Sequence, residues 1–150
     1  MKTTRIMFLA GALTLALSGV ATAHRADASA STTLTLRHTR LGSILVAPDG
    51  HTLYEFTRDR SNVDNCQTIK GCTSVWPPLT ASGSPKASGG VNAHLLGTIK
   101  LKNGTHQVTY AGHPLYLYAA DDGPGQTEYV GADEAGGIWY ALNAHGGAVK

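Results

Sequence analysis

The amino-acid sequence predicts an all-β protein in which two related antiparallel units form one sandwich-like or barrel-like domain. Short segments alternate polar and apolar residues, a period typical of half-buried strands. Glycine is frequent, with 18 in 150 residues, and punctuates these segments as turns. No window after residue 33 has a helical period, and one block of sequence occurs twice. Short strands joined by glycine-rich turns indicate a sandwich or a small barrel.

The first segment, residues 1–23, is predicted to be a cleaved signal peptide. Lys2 and Arg5 precede a mostly apolar stretch that ends in an Ala-Thr-Ala cleavage site. The stretch has about 15 residues, short of the roughly 20 that span a bilayer. We therefore expect a secreted or periplasmic chain beginning at His24, with a flexible lead-in over residues 24–33.

The charge balance argues against polyanionic partners. The chain has 12 Lys and Arg against 10 Asp and Glu, and removing Lys2 and Arg5 makes the two signs equal. Nucleic acids and acidic membranes require clustered cations. We expect no nucleic-acid partner and, because no Cys lies near the cleavage site to carry a lipid, no stable membrane anchor. The expected partner is an unidentified extracellular or envelope ligand.

The rest of the chain divides into a first repeat unit over residues 34–79 and a second over 91–150. Between them, residues 80–90 consist almost wholly of Ser, Gly, Ala, Pro and Lys and are predicted to be a flexible linker. In the first unit, residues 43–47 and 52–57 are predicted to pair as a hairpin around a Pro-Asp-Gly turn.

The second unit is predicted to open with a hairpin over residues 98–110. Asn103-Gly104 is the strongest sequence signal for a two-residue turn. That turn pairs Leu101 with His106 and places His106 on the apolar face. Residues 113–118 and 138–142 are the remaining predicted strands.

The repeated block carries a family resemblance. The two copies of its motif comprise Tyr54, Phe56 and Asp59, and Tyr116, Tyr118 and Asp121. They resemble the Yx(FWY)xxD motif of bacterial exported proteins described as a secreted repeat of unknown function, many of them lipoproteins. The Cys, Trp-Pro-Pro and closing Trp-Tyr segments are also similar, so that the resemblance covers about residues 41–146. It implies an exported two-repeat protein and no particular activity.

Two features depart from that family's usual pattern. The lipid-attachment Cys is absent, which implies a free protein. Cys66 and Cys72 are spaced more widely than the family's usual pair. An exported chain meets an oxidising compartment, so we expect these two residues to form a disulfide.

The aromatic pairs of the motif are expected to be core residues. Alternate strand residues share a face, so Tyr54 lies with Phe56, and Tyr116 with Tyr118. Glu55 lies on the opposite face and is not easily buried, which favours the aromatic face as the core. The alternative is an aromatic platform for a sugar or another flat ligand.

Polar motif residues allow two interpretations each. Asp59 and Asp121 are expected to accept backbone N–H groups where their strands end, the alternative being carboxylate ligands or catalytic acids. His51 and His113 precede the Leu-Tyr of each repeat and are expected to be solvated turn residues. The alternative is a metal site formed by these histidines with the aspartates.

We expect no cofactor, a metal being possible, and the chain lacks the nucleophile-elbow, phosphate-loop and dinucleotide motifs of enzymes. Three functions follow in order of preference. The first is a non-catalytic extracellular or envelope-associated binding or structural module. The second is a metal or redox-cofactor binding protein. The third is a hydrolase that cleaves wall polymers through paired carboxylates.

Overall fold

A computed structural model describes residues 31–150. The predicted signal peptide and most of the lead-in lie outside the described residues. The strands are β1 Thr33–Thr39, β2 Gly42–Val46, β3 Tyr54–Phe56, β4 Thr80–Ala81, β5 Lys86–Ala87, β6 Leu96–Lys100, β7 His106–Tyr110, β8 His113–Pro114, β9 Ala132–Glu134, β10 Gly137–Leu142 and β11 Ala148–Val149. Helical structure in this part of the chain is limited to one α-turn, α1 Cys72–Val75, and two 3-10 turns, Cys66–Thr68 and Ala93–Leu95. The predicted all-β class is confirmed.

The strands form three small sheets that pack in a sandwich-like arrangement. β2, β1 and β5 form the first sheet, β11, β10 and β3 the second, and β4, β7 and β6 the third. β9 extends the second sheet and β8 the third. All pairings between these strands are antiparallel except that of β1 with β5. None of the sheets formed by residues 31–150 closes into a barrel.

Apolar side chains fall into two main buried clusters. The first is aliphatic and is contributed by β1, β2, β7 and the segments around Leu53 and Leu115. The second, which we call the aromatic core, contains the seven buried residues Tyr54, Phe56, Cys66, Cys72, Trp76, Tyr116 and Trp139. No helix among residues 31–150 is long and apolar enough to cross a membrane.

The β6–β7 hairpin exists as predicted, but its predicted register is wrong by one residue. Lys100 lies opposite His106, where the sequence pattern paired Leu101 with it. Leu101 and Thr105 instead close a three-residue loop whose last residue, Gly104, has φ +88°. Asn103 keeps a negative φ, so the loop is a type I turn followed by a left-handed glycine.

That loop contains one residue more than the predicted turn. Val108 and Tyr110 of the predicted apolar face are buried, but Gln107 and Thr109 on the opposite face are buried too, so β7 is covered on both faces. His106 begins β7 and is exposed, whereas the sequence pattern predicted it among the buried residues of the apolar face; Gln107 is fully buried. The amide of Gln107 satisfies part of its hydrogen-bonding requirement by donating to the carbonyl oxygen of Leu115 at 3.0 Å.

The segment between the repeats, residues 80–90, carries two paired strands. β4 pairs with β7 of the second repeat, and β5 pairs with β1 of the first. Just before this segment, Cys66 and Cys72 form the predicted disulfide. The bond holds the two short helical turns beside the aromatic core, in a stretch with few apolar residues.

Candidate functional site

The two motif copies meet at a local two-fold arrangement centred on Tyr54 and Tyr116. The backbone N–H of Tyr54 donates to the carbonyl oxygen of Tyr116 at 2.9 Å, and the reverse bond is 3.0 Å. The equivalent tyrosines of the two repeats are therefore antiparallel neighbours.

Side chains cross between the repeats at the same place. The hydroxyl of Tyr116 donates to Oδ2 of Asp59 at 2.7 Å. In the contact related to it by the local two-fold, the hydroxyl of Tyr54 donates to Oδ2 of Asp121 at 3.3 Å. The tyrosine of each motif is thus bound to the aspartate of the other motif.

The segments that end the two repeats cross in the same way. β10 of the second repeat pairs with β3 of the first and sets Trp139 opposite Phe56. The segment around Trp76 of the first repeat accepts backbone hydrogen bonds from Leu117 and Ala119 of the second, each at 2.9 Å. Each repeat therefore completes the sheet hydrogen bonds of the other.

The predicted aromatic faces lie in the aromatic core. Tyr54, Phe56 and Tyr116 are at most 2% exposed. Tyr118 is partly exposed and packs on Trp76, with ring centroids 4.5 Å apart. A ligand at the surface therefore has access to Tyr118 alone among these four motif rings.

Asp59 combines a turn role with the contact between repeats. Its Oδ1 accepts the backbone N–H of Asn65 at 2.7 Å, while its Oδ2 accepts the Tyr116 hydroxyl. Burial raises the pKa of Asp59 to about 6, against the opposing effect of these two hydrogen bonds. The carboxyl is thus held by protein donors on both oxygens.

Asp121 is held more loosely than Asp59. Its Oδ2 accepts the Tyr54 hydroxyl, and its buried Oδ1 has no hydrogen-bond partner among residues 31–150. Burial raises its pKa to about 6, and the Tyr54 hydrogen bond opposes that shift. Burial also raises the pKa of both tyrosines, and the adjacent carboxylates raise it further.

The two histidines contact different carboxylates. Nδ1 of His113 lies 2.5 Å from Oε2 of Glu55, and Nδ1 of His51 lies 3.0 Å from Oδ2 of Asp49. Glu55 is only 7% exposed, so the expectation that it stays at the surface is wrong. The partner imidazole makes its burial possible, since a buried carboxylate requires a charged or hydrogen-bonding partner.

His113 also faces the first repeat's aspartate. The hydrogen bond to Glu55 raises the pKa of His113, burial opposes that shift, and the charge of Asp59 adds to it. The charge of His51 likewise lowers the pKa of Asp121, although burial dominates at that carboxyl. Each histidine thus lies near the aspartate of the opposite repeat.

The structure shows no shared metal centre for the two histidines. Within residues 31–150, no group of three or more His, Cys, Asp or Glu side chains is arranged to hold a metal ion. A small cavity of about 100 Å³ is lined by Asp59, Ser61, Gly112 and His113, among others. A cavity of about 410 Å³ lies elsewhere, against residues 81–85 and 96–98.

The sequence analysis missed how the tryptophans are arranged. The rings of Trp76 and Trp139 stack at 4.0 Å with their planes 3° apart. Nε1 of Trp76 donates to Oε2 of Glu134 at 2.9 Å. Trp76 follows Asp59 by 17 residues and Trp139 follows Asp121 by 18, a spacing that indicates equivalent positions. A stack across the two repeats requires the two-fold arrangement as well.

Comparisons with known proteins identify the repeats. A family model described as a secreted repeat of unknown function matches residues 35–80 and again residues 97–143. The two matches confirm the resemblance, the two-repeat organisation and the extracytoplasmic location. Searches of curated proteins and of solved structures found no match to the chain.

Proposed function

The chain belongs to the family of secreted repeats of unknown function, and from that membership we propose that it is a non-catalytic binding or structural module, extracellular or associated with the cell envelope. One observation carries the proposal: the motif residues bind each other across the repeats. Tyr54 and Tyr116 are fully buried, and their hydroxyls donate to Asp121 and Asp59. The motif therefore serves to join the repeats, and in this proposal a ligand is bound by the outer surface.

The same contacts weigh against a hydrolase. A catalytic carboxylate must reach substrate or water, and a glycosidase needs two carboxyl groups on either side of the cleaved bond. Both oxygens of Asp59 accept hydrogen bonds from the protein. Asp121 contacts Tyr54 on the other side of the two-fold arrangement.

The balanced charge of the chain after residue 23 argues for a partner that is not a polyanion. We propose a weakly charged envelope component as the ligand, bound without a membrane anchor and without nucleic acid. The test is co-sedimentation of residues 24–150 with isolated cell envelopes and with purified wall polymer. We expect saturable sedimentation with no release of soluble polymer fragments. The absence of saturable sedimentation would contradict the proposal.

Release of fragments that disappears in a folded Asp59→Asn or Asp121→Asn variant would instead identify a hydrolase. The matched control is Asp133→Asn, at an exposed carboxylate in β9 outside the motif. This control protein should behave as the parent chain in both measurements.

A metal-binding protein is the second candidate, favoured by the carboxylates at His113 and His51. Metal-ligating histidines usually donate their other ring nitrogen to a carboxylate. Nδ1 of His113 has that partner in Glu55, whereas Nδ1 of His51 lies 3.0 Å from Asp49 and forms no hydrogen bond with any of residues 31–150. Native mass spectrometry of protein purified without chelator decides between the candidates. Stoichiometric extra mass that is lost in His51→Ala or His113→Ala would place metal binding first.

A further inference from the structure

The aromatic core contains an unbroken chain of ring contacts that leads from the surface to its centre. Tyr129 and Tyr118, both partly exposed, have centroids 3.8 Å apart. Tyr118 contacts Trp76 at 4.5 Å, and Trp76 stacks on Trp139 at 4.0 Å. Phe56 covers the other face of Trp139 at 4.1 Å. Two indole rings stacked face to face at 4.0 Å are well placed to share the vacancy left when one electron is removed.

A tyrosine bound to a carboxylate adjoins each member of the indole pair. Tyr116 meets Trp139 edge-on at 5.1 Å, and Tyr54 meets Trp76 edge-on at 5.1 Å. Both rings are fully buried. The Tyr116 hydroxyl has Oδ2 of Asp59 at 2.7 Å, which is within the range for direct proton transfer.

The hydrogen bond from Tyr116 to Asp59 matters because a phenol that loses an electron becomes a strong acid. In a buried site, it can form a stable neutral radical only if a base beside the hydroxyl takes the proton. Core packing alone accounts for the stacked rings, but it does not require a carboxylate at each buried hydroxyl. The hydrogen-bonded aspartate therefore adds a chemical capability to the aromatic core.

We propose that the aromatic core is a relay for one-electron oxidation, with Tyr116 as the site where the vacancy is held. An outer-sphere one-electron oxidant takes an electron at Tyr118 or Tyr129 and is itself reduced by one electron. The vacancy passes through Trp76 and Trp139. The O–H bond of Tyr116 then breaks, its proton moves to Asp59, and a neutral tyrosyl radical remains. A one-electron reductant reverses each step.

This proposal is independent of what the outer surface binds. It requires only that the secreted chain meets one-electron oxidants, such as radicals derived from peroxide, outside the cytoplasm. The relay would then carry oxidising equivalents away from the exposed tyrosines and hold them at a buried position. Envelope binding and radical transfer are therefore measured separately, and either can fail alone.

The test is photo-oxidation of residues 24–150 with a ruthenium tris-bipyridine complex and persulfate, followed by electron paramagnetic resonance and transient absorption. We expect a neutral tyrosyl radical in the parent protein. Tyr116→Phe should lose most of that signal and accumulate a tryptophan radical instead. Tyr140→Phe is the matched control, because Tyr140 lies in β10 outside the ring chain, and this variant should keep the signal.

Two further measurements keep the test independent of the folding of Tyr116→Phe. Asp59→Asn removes the base and leaves the rings in place, so tyrosyl yield should fall as in Tyr116→Phe. Burial raises the pKa of Asp59 to about 6, so the parent's yield should also fall as pH drops through that value. The groups that face this carboxyl are Tyr116, the Asn65 amide, Asp64 and His113.

A tyrosyl signal of parental size in folded Tyr116→Phe or in folded Asp59→Asn would overturn the proposal. So would a tyrosyl yield that does not change between pH 5 and pH 8. In either case the aromatic core only packs the two repeats together.

Discussion

The Tyr116–Asp59 hydrogen bond joins the repeats more strongly than its counterpart from Tyr54 to Asp121. The first bond is 2.7 Å long and ends on a carboxyl that also accepts a backbone N–H. The second is 3.3 Å long and ends on a carboxyl with one unpartnered buried oxygen. The two equivalent Tyr–Asp hydrogen bonds are therefore expected to contribute unequally to the stability of the folded protein.

Tyr116→Phe should lower the free energy of unfolding at pH 7 by about 1.5–3 kcal/mol, since it removes a hydrogen bond to a partly buried charged group. Tyr54→Phe should cost less, because its bond is longer. Urea denaturation of both variants, with Tyr140→Phe as control, measures the difference. Equal losses in the two motif variants would contradict the unequal contacts.

The two aspartates make stability depend on pH in a defined direction. Burial raises the folded pKa of Asp121 from 3.8 to about 6, so the folded state holds this proton where the unfolded chain has lost it. The stabilisation that results is complete below about pH 4 and is lost as pH rises through about 6.

Asp121→Asn tests this sign, because an amide cannot ionise and its oxygen can still accept from Tyr54. The stability of the parent relative to the variant should fall between pH 4 and pH 7. The change should be well below the roughly 1.4 kcal/mol per pKa unit of a fully buried group, since solvent screens this side chain. Urea unfolding midpoints of both proteins, measured between pH 4 and pH 7, give the difference in stability. A parent that becomes more stable than the variant as pH rises would refute the predicted sign.

At the level of elements, two glycine turns illustrate different constraints. Gly104 ends the β6–β7 loop with φ +88° and has open space where a Cβ would lie. Gly112 precedes β8 with φ +83°, and a Cβ there would lie 2.6 Å from Oγ of Ser61. Glycine is required at position 104 because of the left-handed backbone conformation. At position 112 it is required for the same reason and also because Ser61 of the other repeat approaches closely.

Gly104→Ala should cost about 1 kcal/mol, the usual penalty of a left-handed conformation. Gly112→Ala should cost more, and Ser61→Ala should recover part of the excess in the double variant by removing the hydroxyl. Thermal unfolding of the parent, the three single variants and the double variant provides the comparison. An additive double variant would show that the Ser61 hydroxyl does not limit this turn.

The disulfide stabilises the short helical turns beside the aromatic core. It closes a loop between residues six positions apart, for which the chain-entropy model gives about 2 kcal/mol. Cys66→Ala with Cys72→Ala should therefore lower the unfolding midpoint and leave the spectrum of the folded protein unchanged. Loss of the folded spectrum would show that the bond is needed for the fold itself.

At the level of the whole molecule, the crossed contacts predict that the two repeats unfold as one cooperative unit. β3 lies in a sheet with β10, and the segment around Trp76 accepts backbone hydrogen bonds from Leu117 and Ala119. Neither repeat can unfold without removing strand partners from the other. We therefore expect the two-repeat unit, not the single repeat, to be the folding unit.

We expect one unfolding transition, with equal calorimetric and van't Hoff enthalpies. Tyr54→Phe in the first repeat and Tyr116→Phe in the second should each shift that whole transition. Differential scanning calorimetry measures both quantities. Two resolved transitions, or a variant that shifts only part of the heat absorption, would contradict the crossed arrangement.

Local pattern by itself determined the all-β class, the two repeats, the disulfide and the positions of most strands. Alternation and turn residues depend on neighbouring residues, and the repeat is found by comparing two stretches of the sequence directly, so all three can be read without the structure. The β6–β7 register was not determined by local pattern, because Asn103-Gly104 fits both a two-residue turn and the three-residue loop that forms. In the register that forms, Gln107 is buried and its amide donates to the carbonyl oxygen of Leu115.

Only the tertiary structure decided how the motif residues are used. A repeated Tyr and Asp can bond within a repeat or between repeats, and the sequence is identical in both cases. The two-fold arrangement at Tyr54 and Tyr116 selects the crossed bonds and stacks Trp76 on Trp139. It also buries Glu55 against His113, a contact between residues far apart in the chain. Long-range pairing of this kind depends on the global packing of both repeats, which no local pattern records.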